Sequence, residues 1–114
     1  MSIVPTSRIE QAIDGEELPE SLRCAGCGTP LSEGSPITVL AQRDEAGGRW
    51  RIERVWGLAC AEHELAKTTV PIDGPTALVE GDVAAVADTM AQEHWPVLIR
   101  AKLVDHANVG RVMA

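Results

Sequence analysis

Phenylalanine and tyrosine are absent from this 114-residue chain, and tryptophan occurs only at Trp50, Trp56 and Trp95. These three indoles are therefore the only large rings that can anchor a core or an interface. Lysine is nearly missing too, present as Lys67 and Lys102. Ten Lys and Arg stand against seventeen Asp and Glu, a net charge of −7. A duplex-binding protein needs a basic stripe that displaces counterions from phosphates, and none runs the length of this chain. No apolar run approaches the roughly 18 residues that span a bilayer. The start, Met1-Ser2-Ile3-Val4-Pro5, lacks the basic segment and apolar core of a secretory leader. Cysteine is scarce as well. Three cysteines cannot all pair within the chain, so metal binding in a reducing, cytoplasmic setting is the expectation, with no membrane partner.

What is present suits one domain over residues 1–114 with an aliphatic core. Ser7 is placed to cap a helix over 7–18. Glu10 stands three residues after it, and Ile9, Ala12 and Ile13 fall on one face. Gly15 weakens that helix and Pro19 ends it. Ile37 to Arg43 alternates as a strand, with Ile37, Val39 and Ala41 on one face. Asp44 to Gly48 reads as a hairpin loop, and Arg49 to Leu58 as the returning strand. Unbroken alternation puts Trp50, Ile52, Arg54, Trp56 and Leu58 on one face, which should be the buried one. Ala61 to Lys67 are good helix formers, stopped by Thr68 to Pro71. In the last third, Thr76 to Glu80 and Trp95 to Val104 are strand-like, the latter with Trp95, Val97, Ile99, Ala101 and Leu103 on one face. Val83 to Ala91 fits a helix capped by Asp82 or a continuing strand. A second hairpin within 76–105 is favoured. The class expected is α+β, mostly β: a zinc-binding hairpin module over 22–67, a C-terminal hairpin and short helices.

The chemistry is concentrated between Cys24 and His63. Cys24-Ala25-Gly26-Cys27-Gly28 opens the stretch and Cys60-Ala61-Glu62-His63 closes it. Zinc favours four tetrahedral thiolate and imidazole ligands, and two residues between paired ligands let both side chains converge from one turn. A hairpin between the pairs brings them together. Cys24, Cys27, Cys60 and His63 meet these requirements and point to Zn2+. A thioredoxin-type redox pair is the rival, but it requires a βαβ setting. His94 and His106 lack the C-x-x-H spacing. A closed Cys3His site leaves no position for a substrate water, and no G-x-S-x-G, phosphate loop or H-E-x-x-H is present, so an enzyme is not expected.

A C-x-x-C-G knuckle, a β-hairpin and a second ligand pair at the start of a short helix resemble the treble-clef zinc fingers. The chain also looks like small, acidic, uncharacterised zinc-finger proteins of halophilic archaea. The resemblance covers residues 22–67 and implies zinc binding. Treble clefs bind nucleic acids or proteins, and some are nucleases, but the catalytic histidine motif of the nucleases is absent here.

Two functions follow as expectations. The first is a non-enzymatic protein-interaction module, its partner a second copy or another protein, suited by the acidic charge and by unpaired strand edges. The second is a nucleic-acid-binding or transcription-associated finger that grips phosphates with Arg43, Arg49 and Arg51 beside Trp50. Asp44, Glu45 and Glu53 dilute that basic patch.

Overall fold

The computed structural model describes residues 6–19, 21–43, 49–61, 64–68, 74–88, 90 and 93–107. Among these, one α-helix, α1 (Thr6–Ile13), precedes four strands: β1 (Pro36–Gln42), β2 (Arg51–Gly57), β3 (Thr76–Asp88) and β4 (Glu93–Ala107). Two 3-10 turns, Leu58–Cys60 and Leu65–Lys67, fall between β2 and β3. The strands form one antiparallel sheet in the order β2-β1-β3-β4. The protein is thus mostly β with little helix, and its last third is a long hairpin. Val83 to Asp88 continues β3 and does not coil into a helix behind Asp82.

β1 lies between two neighbours, and its apolar residues are buried on both faces. On one face Ile37, Val39 and Ala41 meet Ile9 and Ile13 of α1, with Leu18, Leu22, Trp50, Val55, Val79 and Leu98. On the other, Leu40 and Leu78 pack with Trp56, Leu65 and Cys24. Fully burying one such aliphatic side chain contributes about 1.5–3 kcal/mol. Val39, Leu40, Leu78 and Val79 have no exposed surface, so the β1–β3 pair is where burial is concentrated.

The expected single Trp face does not form. Leu40 is paired with Arg54 but Ala41 with Ile52, so Glu53 is an extra residue in β2. A bulge of this kind reverses the alternation beyond it. Trp50 joins the α1 face, Trp56 the opposite face, and Val55 turns inward in place of Arg54. β4 has the same feature. Glu80 pairs with Lys102 and Asp82 with Ile99, so two β4 residues oppose Gly81. Ala101 and Leu103 therefore pack on the α1 face. They do not share a side with Trp95 and Val97. Arg100 absorbs the bulge with φ +56° and pairs with Asp82 at 2.9 Å.

The N-terminal helix is shorter than 7–18. It ends at Ile13, where Gly15 adopts φ +84° and gives its amide to the Leu98 carbonyl. Ser7 lies inside α1 and is not its cap. Glu10 does not close a capping box; its carboxylate accepts the Leu103 amide at 2.7 Å, and Asp14 accepts that of Ala101 at 3.0 Å. Residues 16–18 then run along β4, with Leu98 N–H to Glu16 and Leu18 N–H to Pro96. The N-terminal segment thus covers the outer edge of β4 from Pro96 to Leu103.

The helix expected from Ala61 to Lys67 is also not formed. Ala61 and Glu64 are extended, at ψ 135° and 133°. The Leu65 amide is taken by the Asp105 carboxylate at 2.7 Å, which fixes this segment to β4. The loop expected at 44–48 lies outside the described residues.

A Cβ on Gly81 would stand 2.6 Å from the Ile99 carbonyl oxygen and 2.7 Å from Leu98 Cδ1. Gly81→Ala is expected to destabilise the protein by about 1–3 kcal/mol through overpacking, read as a lower urea midpoint with unchanged slope. An unaltered midpoint would show that the bulge yields freely.

Candidate metal centre

The first cysteine pair sits in a small closed loop. The Cys24 N–H donates to the Thr29 carbonyl at 2.9 Å, and the Gly28 N–H donates to the Cys24 carbonyl at 2.8 Å. Gly28 has φ +76°, a conformation that a side chain at this turn would resist. The Arg23 guanidinium caps the loop on the Gly28 carbonyl at 3.1 Å. The loop is fastened to the sheet by the Ala25 N–H, which donates to the Val55 carbonyl on the outer edge of β2 at 2.8 Å. β2 then leads through the Leu58–Cys60 turn and returns Cys60 beneath the loop.

The approach is close. A Cβ at Gly26 would lie 2.8 Å from Cys60 Cβ and 3.0 Å from its Sγ. With Gly26 in place, the sulfurs of Cys24, Cys27 and Cys60 lie within 4.8 Å of one another. Zinc–sulfur bonds of about 2.3 Å in a tetrahedron imply sulfurs about 3.8 Å apart, which this limit accommodates. Cys24 is buried against Trp56, Leu40, Leu65 and Leu78, Cys60 is half-buried, and Cys27 is exposed beside Thr29 Oγ1 at 3.1 Å.

The thiols are electrostatically unequal. Burial pushes the Cys24 thiol up, but the backbone N–H groups of Gly57, Cys27 and Gly26 and the Cys27 side chain outweigh it and lower the thiol to about 6. Cys60 moves the other way, to about 11. Its hydrogen bonds with Cys24 and Cys27 raise it, as do burial and the charge of those two sulfurs. The site therefore holds a ready thiolate at its buried corner and resists a second beside it. A cation removes that repulsion, and thiolate sets of this kind suit soft or borderline metals. The three cysteines can hold a metal ion.

Of the other residues singled out by spacing, His63 lies outside the described residues. His94 and His106 are exposed in β4 and are not part of the cluster. Arg49 and Arg51 line one cleft with Trp50, and Arg43 lies over the same ring, but carboxylates stand among them. Arg43 stacks its guanidinium 5.0 Å from the Trp50 ring, Arg49 pairs with Glu16 at 3.1 Å, and Arg51 pairs with Glu53 at 3.4 Å. The cleft of about 540 Å³ near them is lined by Glu16, Glu17, Arg49, Trp50 and Arg51, and so carries both signs of charge. Gly57, whose amide steadies Cys24, was not legible from spacing. Gly26 serves the site through the absence of a side chain, which lets Cys60 approach the loop.

Gly26→Ala keeps all three thiols but pushes Cys60 outward. Metal affinity, measured by competition with a chromophoric chelator, should fall by about 10–100-fold, as for other changes just outside a ligand set. Affinity equal to the wild type would mean that Cys60 is not held against the loop.

No helix among the described residues is long and apolar enough to cross a membrane. No curated protein and no solved structure is significantly similar to the chain. One family model, described as a domain of unknown function (DUF8112), matches residues 4–109, and the chain belongs to that family.

Proposed function

We propose that this is a small zinc protein with a structural Cys3His site, Cys24, Cys27, Cys60 and His63, acting as a non-enzymatic protein-interaction module. The observation that carries the reading is the convergence of all three cysteines of the chain on one point across a hairpin. His63 supplies the fourth ligand in this proposal because it follows Cys60 at the same spacing that separates Cys24 from Cys27. Zinc is favoured by the set of three thiolates and one imidazole. The order of knuckle, hairpin and second pair supports the treble-clef likeness. The extended backbone at Ala61 and Glu64 departs from the helix that such fingers place there.

A site with four protein ligands gives zinc no open position, so its contribution is to folding and not to chemistry. In this reading the metal clamps the 24–29 loop and Cys60 to the β2 edge. Interaction with protein is favoured over nucleic acid by charge. The chain carries −7, and Arg49 and Arg51 each stand against a carboxylate. Exposed pairs of this type add about 0–1 kcal/mol to stability. Their consequence here is a patch without the single sign that phosphates require.

Elemental analysis of the purified protein tests the site. One zinc per chain is expected, lost in Cys60→Ser and weakened in His63→Ala. Zinc absent from the wild type, or retained in full by Cys60→Ser, would overturn it. Arg49→Ala with Arg51→Ala should leave the melt nearly unchanged. A loss of single-stranded nucleic-acid binding in that variant would replace the protein-interaction reading with the nucleic-acid one.

A further inference from the structure

The edges of the sheet are treated differently along their length. On β2 the knuckle covers Val55 and Gly57, and beyond them the edge is broken by the Glu53 bulge and carries charge. On β4 the N-terminal segment occupies the outer groups from Pro96 to Leu103. Pro96 itself has no N–H to offer, which interrupts the edge next to His94. Bulges, charges, proline and covering segments are the devices that keep sheet edges from pairing with other chains.

From Val83 to Ala87 β3 has no charge, proline or bulge and, among the described residues, no covering segment beyond the turn at Ser35. β1 accompanies it only as far as Asp82, and the turn before β1 adds one step, Val83 N–H to Ser35 and Gly34 N–H to Val83. β3 and β4 then continue together as an arm that overhangs the sheet. Backbone directions in the arm follow from the same bonds. Val83 points away from β4, so by alternation Ala85 and Ala87 do as well. Their partners agree: Ala85 faces Pro96, whose carbonyl is turned outward to Leu18. The N–H and C=O groups of Ala85 and Ala87 thus face outward, with no partner among the described residues. Both residues are exposed, and the stretch Ala84-Ala85-Val86-Ala87 carries no charge.

We infer that this arm is a self-pairing edge, and that β3 of one copy adds antiparallel to β3 of a second copy about a twofold axis through Val86, perpendicular to the sheet. The inference rests on the protein-interaction reading and names its partner. The register is fixed by the four outward groups. Ala85 opposite the partner copy's Ala87, and the reverse, satisfies all of them with four hydrogen bonds. The charges fit the same register. Asp88 falls opposite Ala84, not opposite another carboxylate, so two chains of net −7 meet along an uncharged strip. The bonds of Val83 to the turn end the shared ladder where β1 begins. Val86 is partly exposed and pairs within the arm with Trp95. The axis brings two Val86–Trp95 pairs side by side on one face, giving the half-buried third tryptophan a role in assembly. On the other face a shallow cavity of about 220 Å³, lined by Leu22, Leu31, Val83, Ala85, His94 and Pro96 among others, adjoins the same edge.

The test is sedimentation equilibrium of the full zinc-loaded chain, as wild type, Ala87→Pro and Val86→Lys. Ala87→Pro removes only an outward N–H and leaves the pairing with β4 intact; Val86→Lys puts a cation on the axis. The wild type should show the mass of two chains, and both variants the mass of one with an unchanged thermal melt. A wild type that stays monomeric up to millimolar concentration overturns the inference, as does a dimer that survives both variants. Zinc content and binding to other proteins, measured on the same samples, separate the readings. A monomer that keeps its zinc and a strand-like protein partner overturns self-pairing and leaves the interaction module standing.

Discussion

The antiparallel pairing of β1 with β3 is the constraint on which the rest of the structure depends. Seven successive residues of β1, Pro36 to Gln42, pair with Asp82 to Thr76, and the aliphatic side chains there are buried on both faces. A strand buried on both faces needs a layer on each. Ile9 and Ile13 of α1 with Leu18 and Leu22 form one layer, and Cys24, Cys60, Ala61 and Leu65 form the other. The cysteine cluster, which can hold a metal ion, is where the second layer meets the sheet. Cys24 packs on Leu40 and Leu78, the same pair that centres the opposite face from α1. A small domain gains most from a cross-link that fixes segments with little regular structure of their own. Residues 58–61 and 64–68, each built around one 3-10 turn, are such segments.

Electrostatics within the cluster follow from that position. Backing by Trp56 and Leu65 makes the pocket dry enough that one thiolate must be stabilised by amides, and Gly57, Cys27 and Gly26 provide them. Hydrogen bonds with the Cys24 and Cys27 sulfurs, then burial and the charge of both sulfurs, push Cys60 up. The arrangement can hold a metal ion, and its residual repulsion is the kind that a cation relieves.

Much of this was legible in the residues. The two-residue spacing of Cys24 and Cys27, and the alternation of Ile37, Val39 and Ala41, led to the loop and to β1 as they are. What was not legible came from distant packing. Glu53 and Arg100 look like ordinary strand positions, yet each marks a bulge that sends the following side chains to the other face. Nothing local distinguishes Trp56 from Trp50; the Leu40–Arg54 pairing does. The short helix after Cys60 had the composition for it, but Asp105, forty residues away, takes the Leu65 amide and holds the backbone extended before it. Glu10 had the spacing of a capping box and serves β4 in its place. His63 is the point at which legibility in sequence still stands alone, since only its spacing speaks for it.

The two ends of the sheet differ in how they finish the backbone's hydrogen bonds, and this separates stability from recognition. At the end where Thr76 meets Ala107, the β3–β4 hairpin is flanked by β1, by α1 and by the Leu65 turn; its outer amides at Leu103 and Ala101 are taken by Glu10 and Asp14, and its own Asp105 takes the Leu65 amide. Carboxylates are good partners there because they accept from several directions and keep water-soluble charge at the edge. At the far end the same two strands run on without such cover, and the residues become alanine and valine. An acidic chain with carboxylates to spare has none between Val83 and Ala87. Edge protection is thus withheld where the arm leaves the sheet, and that local absence of charge, in a protein otherwise guarded by it, makes the arm the surface most able to accept another strand.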